Sequence, residues 1–293
     1  MTSKQLKSLI TPYRIICKVL NGIFAIIIIS TIIYLIIAPD NLIAFIILLG
    51  CVTVFACLHD AVHNKIKKIL VDNDNFIGVA LKEAFGDSVE YCQDGEVAPG
   101  PMEFPFSYNK VYGEGHIKAV YKGLNIELSD MTLKNEEMNA EGDINAFTVF
   151  RGQLFVCDLR KELSGEVFIS ANSGMDKPGF ERDVMMDNKE FDDRFRVKTK
   201  VPEEAFCILT PHMMGYILKM ADKVNGRVYM AFLRSGKIYI AVNTNRNILK
   251  LGDTTKADYD TLMQKYLGEL KWFTDMIDTL RLNDKLYKKE ANV

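Results

Sequence analysis

Residues 19–38 read VLNGIFAIIIISTIIYLIIA and contain no charged side chain. An α-helix rises about 1.5 Å per residue, so a stretch of this length can cross a bilayer core of about 30 Å. A second uncharged run, LIAFIILLGCVTVFACL, occupies residues 42–58. The two runs predict two transmembrane helices, with residues 19–58 in contact with the lipid bilayer. A pair of buried core helices is the alternative, but helices that are apolar on every face would need a large protein core around them.

The segment between the runs, residues 39–41, reads Pro-Asp-Asn. Proline ends a helix, and Asp and Asn accept turn geometry, so we expect an external turn that joins the helices into an antiparallel hairpin. The first run is longer than the apolar core of a signal peptide, which has about 7–15 residues, and the second run follows at once. We therefore expect no cleavage.

The positive charges that flank the two runs predict the orientation. They lie before the first run and after the second, and the turn has none: Lys4, Lys7, Arg14, Lys18, Lys65, Lys67 and Lys68. By the positive-inside rule, both termini are cytoplasmic and the protein lies in the cell membrane. Three of these residues, Lys65, Lys67 and Lys68, can also contact anionic lipid headgroups, at about 1 kcal/mol each.

Charge and cysteine content exclude some classes of protein. The chain of 293 residues has a net charge of −2, and acidic residues outnumber basic ones after residue 68. Because nucleic-acid binding needs a basic surface, no nucleic-acid partner is expected. The six cysteines show no CxxC spacing. They are typical of small buried apolar residues in a reducing compartment rather than of a disulfide framework.

The remaining chain divides into a cytoplasmic N-terminal segment (1–18), a juxtamembrane helical region (59–91) and a soluble domain (92–293). In the juxtamembrane region, helical spacing is interrupted near 72–75 and resumes as far as Gly86. Alternating apolar residues then predict three β-hairpins. Their turns are expected at Lys122-Gly123, at Arg151-Gly152 within AFTVFRGQLFVCDL, and at residues 234–236 between RVYMAFL and KIYIAV.

Helices are expected near the end of the chain. Thr210-Pro211 is a helix start, with Thr as the N-cap and Pro at the first helical position. Residues 258–282 keep helical apolar spacing throughout, which predicts a long amphipathic helix on the sheet. Because the strands come as adjacent hairpins, the fold class is α+β with an antiparallel sheet, not a doubly wound parallel sheet.

Two segments resemble a known family. AFTVFRGQLFVCDLRKELSGEVFI (146–169) and FDDRFRVKTKVPEEAFCILTP (191–211) are similar to a bacterial membrane-anchored family known as domain of unknown function 3137. The resemblance implies a short two-span hairpin followed by a cytoplasmic domain, and it implies no catalytic residues. The chain departs from the family pattern at Gln153, where an apolar residue is expected after the Gly.

His59 and His63 are the candidate metal ligands. They are spaced i, i+4 on one helical face, as in zinc sites. A zincin has Glu directly after the first His, whereas this chain has Asp60, and no third ligand is near in sequence. A histidine at the membrane edge is also ordinary, so the pair is a weak candidate.

Four other features of the sequence are weak candidates for sites. Cys207 and His212 could form a thiol–base pair, but Cys207 lies in the apolar run AFCIL, and burial would make its thiol inert. Asp192 and Asp193 are expected to form a solvated acidic turn. Gly113-Glu114-Gly115 lacks the pattern of a phosphate loop. Trp272 lies beside the apolar stripe of the last helix, either as a partner or lipid contact or partly buried.

The sequence thus predicts no catalytic residue and no cofactor. The favoured interpretation is a membrane-anchored cytoplasmic module that binds a protein partner or a lipid and acts as a scaffold without catalysis. The alternative is a membrane-tethered enzyme whose site is assembled from residues distant in sequence.

Overall fold

The computed structural model describes residues 2–37, 42–71, 75–138, 143–159, 162–172, 184–224, 226–249 and 259–280. The chain forms two compact units, Met1–Ala80 with Leu251–Lys265 and Leu81–Lys250 with Tyr266–Val293. The helices are α1 (Ser3–Ile37), α2 (Leu42–Val71), α3 (Asn75–Phe85), α4 (Lys189–Arg194), α5 (Pro202–Ile208), α6 (Pro211–Lys223) and α7 (Tyr259–Thr279). The strands are β1 (Glu90–Cys92), β2 (Lys110–Tyr121), β3 (Leu124–Met138), β4 (Ile144–Asp158), β5 (Val167–Ala171), β6 (Phe195–Thr199), β7 (Arg227–Phe232) and β8 (Lys237–Asn243).

The first unit contains the apolar helices. The ring of Phe24 on α1 stacks on Phe55 of α2, with 3.9 Å between the ring centroids. Residues along α1, including Ile26 and Ile29, expose more than half of their side-chain surface. Within the described residues, one helix, Ser3–Tyr34, is long and apolar enough to cross a membrane.

Helix α2 ends at Val71 and α3 begins at Asn75. Residues 72–74, where the interruption is predicted, lie outside the described residues. Helix α3 then stops before Gly86, which has φ of +87° and so adopts the left-handed backbone that ends many helices.

The second unit is built on one eight-stranded sheet in the order β1-β2-β3-β4-β8-β7-β5-β6. Every pair of neighbouring strands is antiparallel. The predicted α+β class with an antiparallel sheet is therefore confirmed. The turn at Lys122-Gly123 also forms as predicted, with positive φ at both residues (+48° and +80°), which matches the twist of the flanking strands.

The hairpin predicted at Arg151-Gly152 is wrong. Residues 144–158 form one strand, β4, which pairs with β3 along its whole length. Gly152 is needed for a different reason: a Cβ at this position would lie 1.8 Å from the carbonyl oxygen of Val242 on β8. The absence of a side chain at Gly152 lets β4 approach β8 closely, and no turn forms there.

The predicted start of α6 and the predicted apolar stripe of α7 are confirmed. Thr210 is the N-cap of α6, where its side chain accepts a hydrogen bond from the amide of Met213 at 3.3 Å. Along α7 the predicted apolar stripe is buried at most positions, while Leu262 and Leu267 are half-buried. The buried residues of the stripe are Tyr259, Met263, Tyr266, Leu270, Phe273, Ile277 and Leu280.

The two faces of the sheet have different coverings. One face packs against the segment between β1 and β2, which contributes Val97, Met102 and Phe104 to a core with Leu133 and Phe150. This Gly- and Pro-containing loop is therefore part of the core. Because side chains alternate along a strand, Asp130 and Gln153 lie on the opposite face. On that side, Gly268, Glu269 and Trp272 of α7 line a pocket together with Gln153.

Candidate functional site

A cleft of about 510 Å³ lies between β4, β8 and helix α7 in the second unit. Its lining combines polar and apolar residues from the sheet, from the segment after β8, from the end of α6 and from the middle of α7. These residues are Gln153, Lys223, Val224, Val242, Thr244, Arg246, Ile248, Gly268, Glu269 and Trp272. A concave site with apolar walls and a few convergent polar groups is the usual form of a ligand site. Among the pockets of the described residues, this cleft is the strongest candidate.

The floor of the cleft is a buried hydrogen-bond network around Gln153. Its side-chain Nε2 donates to Oδ1 of Asp130 on β3 at 2.9 Å and to the carbonyl oxygen of Arg246 at 2.8 Å. The hydroxyl of Thr244 donates to Oε1 of Gln153 at 3.0 Å. The amide of Gln153 is thus bonded through both its nitrogen and its oxygen, so its orientation is held.

Asp130 ties the segment after β8 to the sheet. Its carboxylate accepts hydrogen bonds from the backbone amides of Ile248, at 3.0 Å, and Leu249, at 2.7 Å. The hydroxyl of Tyr266 on α7 donates to the carbonyl oxygen of Leu249 at 3.1 Å. One buried carboxylate therefore positions the segment that carries Arg246 and Ile248 into the cleft wall.

Burial raises the pKa of Asp130 to about 6, while the hydrogen bonds from Gln153, Ile248 and Leu249 act to lower it. Desolvation disfavours the charged carboxylate, and the donors favour it. Asp130 is fully buried and does not line the cleft. Its role is to hold Gln153 and the segment after β8 in place beneath the cleft.

The walls offer cationic and aromatic surface. Arg246 lies 3.4 Å from Glu269 of α7, measured from Nη1 to Oε1, and the Arg246 side chain is 63% exposed. Lys223, in the last turn of α6, adds a second cation, and Trp272 is half-buried. With two cations, one acid, a hydroxyl and an amide, the lining suits a ligand with an anionic head and an apolar body.

A second pocket of about 370 Å³ lies near β5 and β6. Its lining includes Lys198, whose Nζ lies 2.6 Å from Oε2 of Glu103, and Arg234, whose Nη2 donates to the carbonyl oxygen of Ser164 at 2.9 Å. The hydroxyl of Ser164 donates in turn to Glu204. Lys198 thus has a carboxylate partner and Arg234 a backbone carbonyl partner, and the pocket is smaller than the cleft beside α7, so it is the weaker candidate.

The predicted metal candidates lie on one face of α2. The Nε2 atoms of His59 and His63 are 3.2 Å apart, within hydrogen-bond distance. In the part of the chain that the structure describes, no group of three or more His, Cys, Asp and Glu side chains could hold a metal ion. The pair stays the weak candidate that the sequence indicated.

Two interpretations of single residues are corrected. Cys207 is exposed, not buried, because it lies on the outer face of the short helix α5. Asp192 and Asp193 lie in helix α4 rather than in a solvated turn. Asp192 is buried, and its Oδ1 accepts a hydrogen bond from the amide of Met186 at 3.2 Å. The prediction that the cysteines are buried is wrong for most of them. Cys57 and Cys92 are also exposed, and of the six cysteines, all of which the structure describes, only Cys157 is fully buried.

The remaining sequence candidates have structural roles or lie at the cleft. Gly113 allows close packing, since a Cβ there would lie 2.3 Å from Cβ of Glu96. Trp272, for which the sequence left a partner contact and partial burial both open, lines the cleft. Sequence reasoning missed Asp130 and Gln153. The available signal was a polar residue at an inward strand position on each of two strands, in ELSDMTL and RGQLF.

Comparisons with known proteins agree with the predicted resemblance. Residues 148–282 match the family described as "Protein of unknown function (DUF3137)", which confirms the resemblance to this domain over those residues. No curated protein matches the chain. Among solved structures, the crystal structure of the mycobacterial trehalose monomycolate transport factor A, TtfA, is similar with a TM-score of 0.35 and 11% identity. The alignment covers 70% of this chain and 96% of that one; so low a score supports no conclusion about fold or function.

Proposed function

We propose that this chain, with its DUF3137 match, is a membrane-anchored protein whose sheet unit binds an anionic ligand in the cleft beside α7. The observation that carries the proposal is the lining itself. Lys223 and Arg246 present cationic groups beside Trp272, above a floor that the Asp130–Gln153 network holds rigid. Such preorganised polar groups favour binding because little ordering remains to be done when the ligand arrives.

The anchor comprises residues 19–58. Helix α1 supplies the first span, and its exposed isoleucines support a lipid environment. The uncharged residues 42–58 supply the second span, and the turn 39–41, which lies outside the described residues, connects them. With Lys65, Lys67 and Lys68 against anionic headgroups, both termini are cytoplasmic.

The orientation is tested with reporters fused before Met1 and after Val293. Both are expected to report a cytoplasmic location, because the flanking positive charges lie on those two sides. A single-span chain would place the two reporters on opposite sides. A C-terminal reporter outside the cell would overturn the proposed topology and localisation together.

The burial and the hydrogen bonds of Asp130 favour binding over catalysis. This carboxylate has the perturbed pKa that marks many catalytic acids, yet its oxygens accept hydrogen bonds from Gln153, Ile248 and Leu249. A catalytic acid must reach its substrate. Asp130, buried below the cleft, instead fixes the residues that form the binding site. The protein then acts as a scaffold for the ligand that it binds.

The ligand test uses the protein's single tryptophan. Because Trp272 lines the cleft, its fluorescence reports occupancy directly. The full chain in neutral detergent is titrated with dihexanoyl phosphatidylglycerol, with dihexanoyl phosphatidylcholine, and with glycerol phosphate. A saturable change with phosphatidylglycerol alone indicates a lipid ligand. A change with phosphatidylglycerol and with glycerol phosphate, but not with phosphatidylcholine, indicates that a free anionic phosphate compound is sufficient.

Matched variants locate the site. Lys223→Gln and Arg246→Gln are each expected to weaken binding about tenfold, as the loss of one charge-assisted contact of about 1.4 kcal/mol implies. Lys271→Gln is the control, since Lys271 neighbours Trp272 but is exposed and outside the lining. If Lys271→Gln weakens binding as much, or if no anionic probe gives a saturable signal, the proposed ligand class is wrong.

A further inference from the structure

Strands β3 and β4 form an arm that extends past its neighbours in the sheet. The two strands pair from Asn125–Asp158 out to Met138–Ile144. Strand β8 pairs with β4 only from Gln153 to Asp158. The carbonyl oxygen of Arg151 accepts a hydrogen bond from the amide of Asn245. Within the described residues, no strand pairs with the outer edge of residues 144–150.

This outer edge of residues 144–150, here called the open edge, lacks the usual protection. It reads INAFTVF, without charge, proline or glycine. Natural edge strands are commonly guarded by Lys, Pro or a covering segment, because an unguarded edge pairs with other strands. Apolar side chains on the arm are also exposed: Met138 is 73% exposed, Ile144 62% and Phe147 60%. The edge therefore has the features of a strand that pairs with another strand.

The direction of the backbone groups follows from Asn109. The carbonyl oxygen of Lys134 accepts a hydrogen bond from the amide of Asn109. The amide and carbonyl of Glu136 bond to the Asn109 side chain. The backbone amides and carbonyls of Lys134 and Glu136 thus point away from β4. In an antiparallel ladder, their partners Thr148 and Ala146 point away from β3 in the same way. The open edge therefore presents the amides and carbonyls of Ala146 and Thr148.

We propose that the open edge pairs antiparallel with the open edge of a second copy of this chain, about a two-fold axis at Phe147. In this register Ala146 faces Thr148 of the second copy, and the two exchange both backbone hydrogen bonds. The two Phe147 rings then meet across the axis as a non-hydrogen-bonded pair, where side chains approach most closely. The same edge on both chains forms an isologous, closed contact.

Charge favours a second copy over a lipid surface as the occupant. Self-pairing of residues 144–150 places no charge opposite a like charge. The exposed apolar residues have acidic neighbours on the arm, Glu136, Glu137 and Asp143, and an anionic membrane surface repels carboxylates. The self-pairing involves only residues 144–150 and is independent of the cleft.

Cysteine cross-linking of the full chain in detergent tests the register. Phe147→Cys is expected to give a disulfide-linked dimer on mild oxidation, because directly opposed Cα atoms at such a pair lie about 4.5 Å apart. Asn145→Cys is the matched control on the same face of the same strand. Its two copies would be about 14 Å apart at about 3.4 Å per residue, which is too far for a disulfide. The unsubstituted chain measures the background from the native cysteines.

A second measurement uses light scattering. The unsubstituted chain is expected to be dimeric and Ala146→Pro monomeric, because proline removes an outward amide and leaves the β3 pairing intact. Ala146→Val keeps the amide and should remain dimeric. Equal cross-linking at positions 145 and 147 would overturn the proposal. A monomeric native chain, or a dimer that Ala146→Pro leaves unchanged, would do so as well. If the proline variant does not fold, the comparison of cysteines decides.

Discussion

Gln153 and Asp130 face each other across β4 and β3, with Nε2 of Gln153 donating to Oδ1 of Asp130 at 2.9 Å. Both residues are buried, Gln153 at 3% exposure and Asp130 at 0%. The pair joins the sheet to the segment after β8 through the carbonyl of Arg246 and the amides of Ile248 and Leu249. The cleft floor therefore depends on one contact between two strands.

Gln153→Leu is expected to destabilise the protein by about 1–3 kcal/mol, because Asp130 loses a donor and the hydroxyl of Thr244 loses an acceptor in a buried site. The control, Asn125→Leu, changes an exposed residue of β3 and should change stability by less than about 0.5 kcal/mol. Urea unfolding of the full chain in detergent measures both. Equal midpoints for the two variants would contradict the role given to the network.

Asp130 should make stability depend on pH. Its pKa in the folded protein is about 6, above the ordinary value of 3.8, so the folded state binds its proton more tightly than the unfolded state. The contribution is fully present below pH 4 and is lost as the pH rises to 6, with a size on the order of 3 kcal/mol. Asp130→Asn should flatten the curve of stability against pH in this window. A slope unchanged by the substitution would show that another group is responsible.

Gly152→Ala is expected to destabilise the protein by more than about 2 kcal/mol, because the added Cβ would overlap the carbonyl of Val242 and separate β4 from β8. The control is Gly215→Ala in helix α6, where a Cβ has nothing within 4 Å. Alanine is the better helix former, so that variant should gain up to about 1 kcal/mol. Thermal unfolding followed by Trp272 fluorescence compares the two. A loss at Gly215 equal to that at Gly152 would contradict the close-approach explanation.

On α7, Leu270→Asp should cost several kcal/mol, since Leu270 is fully buried and the new carboxylate would have no partner there. Leu267→Asp should cost less, because Leu267 is half-buried. Lys271→Gln, at an exposed position, should change stability by less than about 0.5 kcal/mol. The order of the three melting temperatures checks the buried face. If Leu267→Asp were the most damaging, the face that α7 buries would be wrong.

The sequence by itself determined the local structure and much of the burial. Alternation over 117–128 predicted β2, the Lys122-Gly123 turn and β3, and helical spacing predicted α7, because side-chain direction follows the backbone period of 2.0 or 3.6 residues. The uncharged residues 19–38 predicted an apolar helix, since length and hydropathy are properties of the chain alone. Thr210-Pro211 predicted the start of α6 because an N-cap acts within three residues.

Only the tertiary structure decided what depends on residues distant in sequence. Gly152 looked like a turn residue, and its actual role follows from Val242 on the neighbouring strand. Gln153 looked like an exception at an apolar position, and Asp130 explains it. Cys207 is exposed because α5 turns it outward, which its apolar neighbours in sequence could not show. A pattern along the chain records which face a side chain takes, whereas the partner it meets there is set by strand order and register.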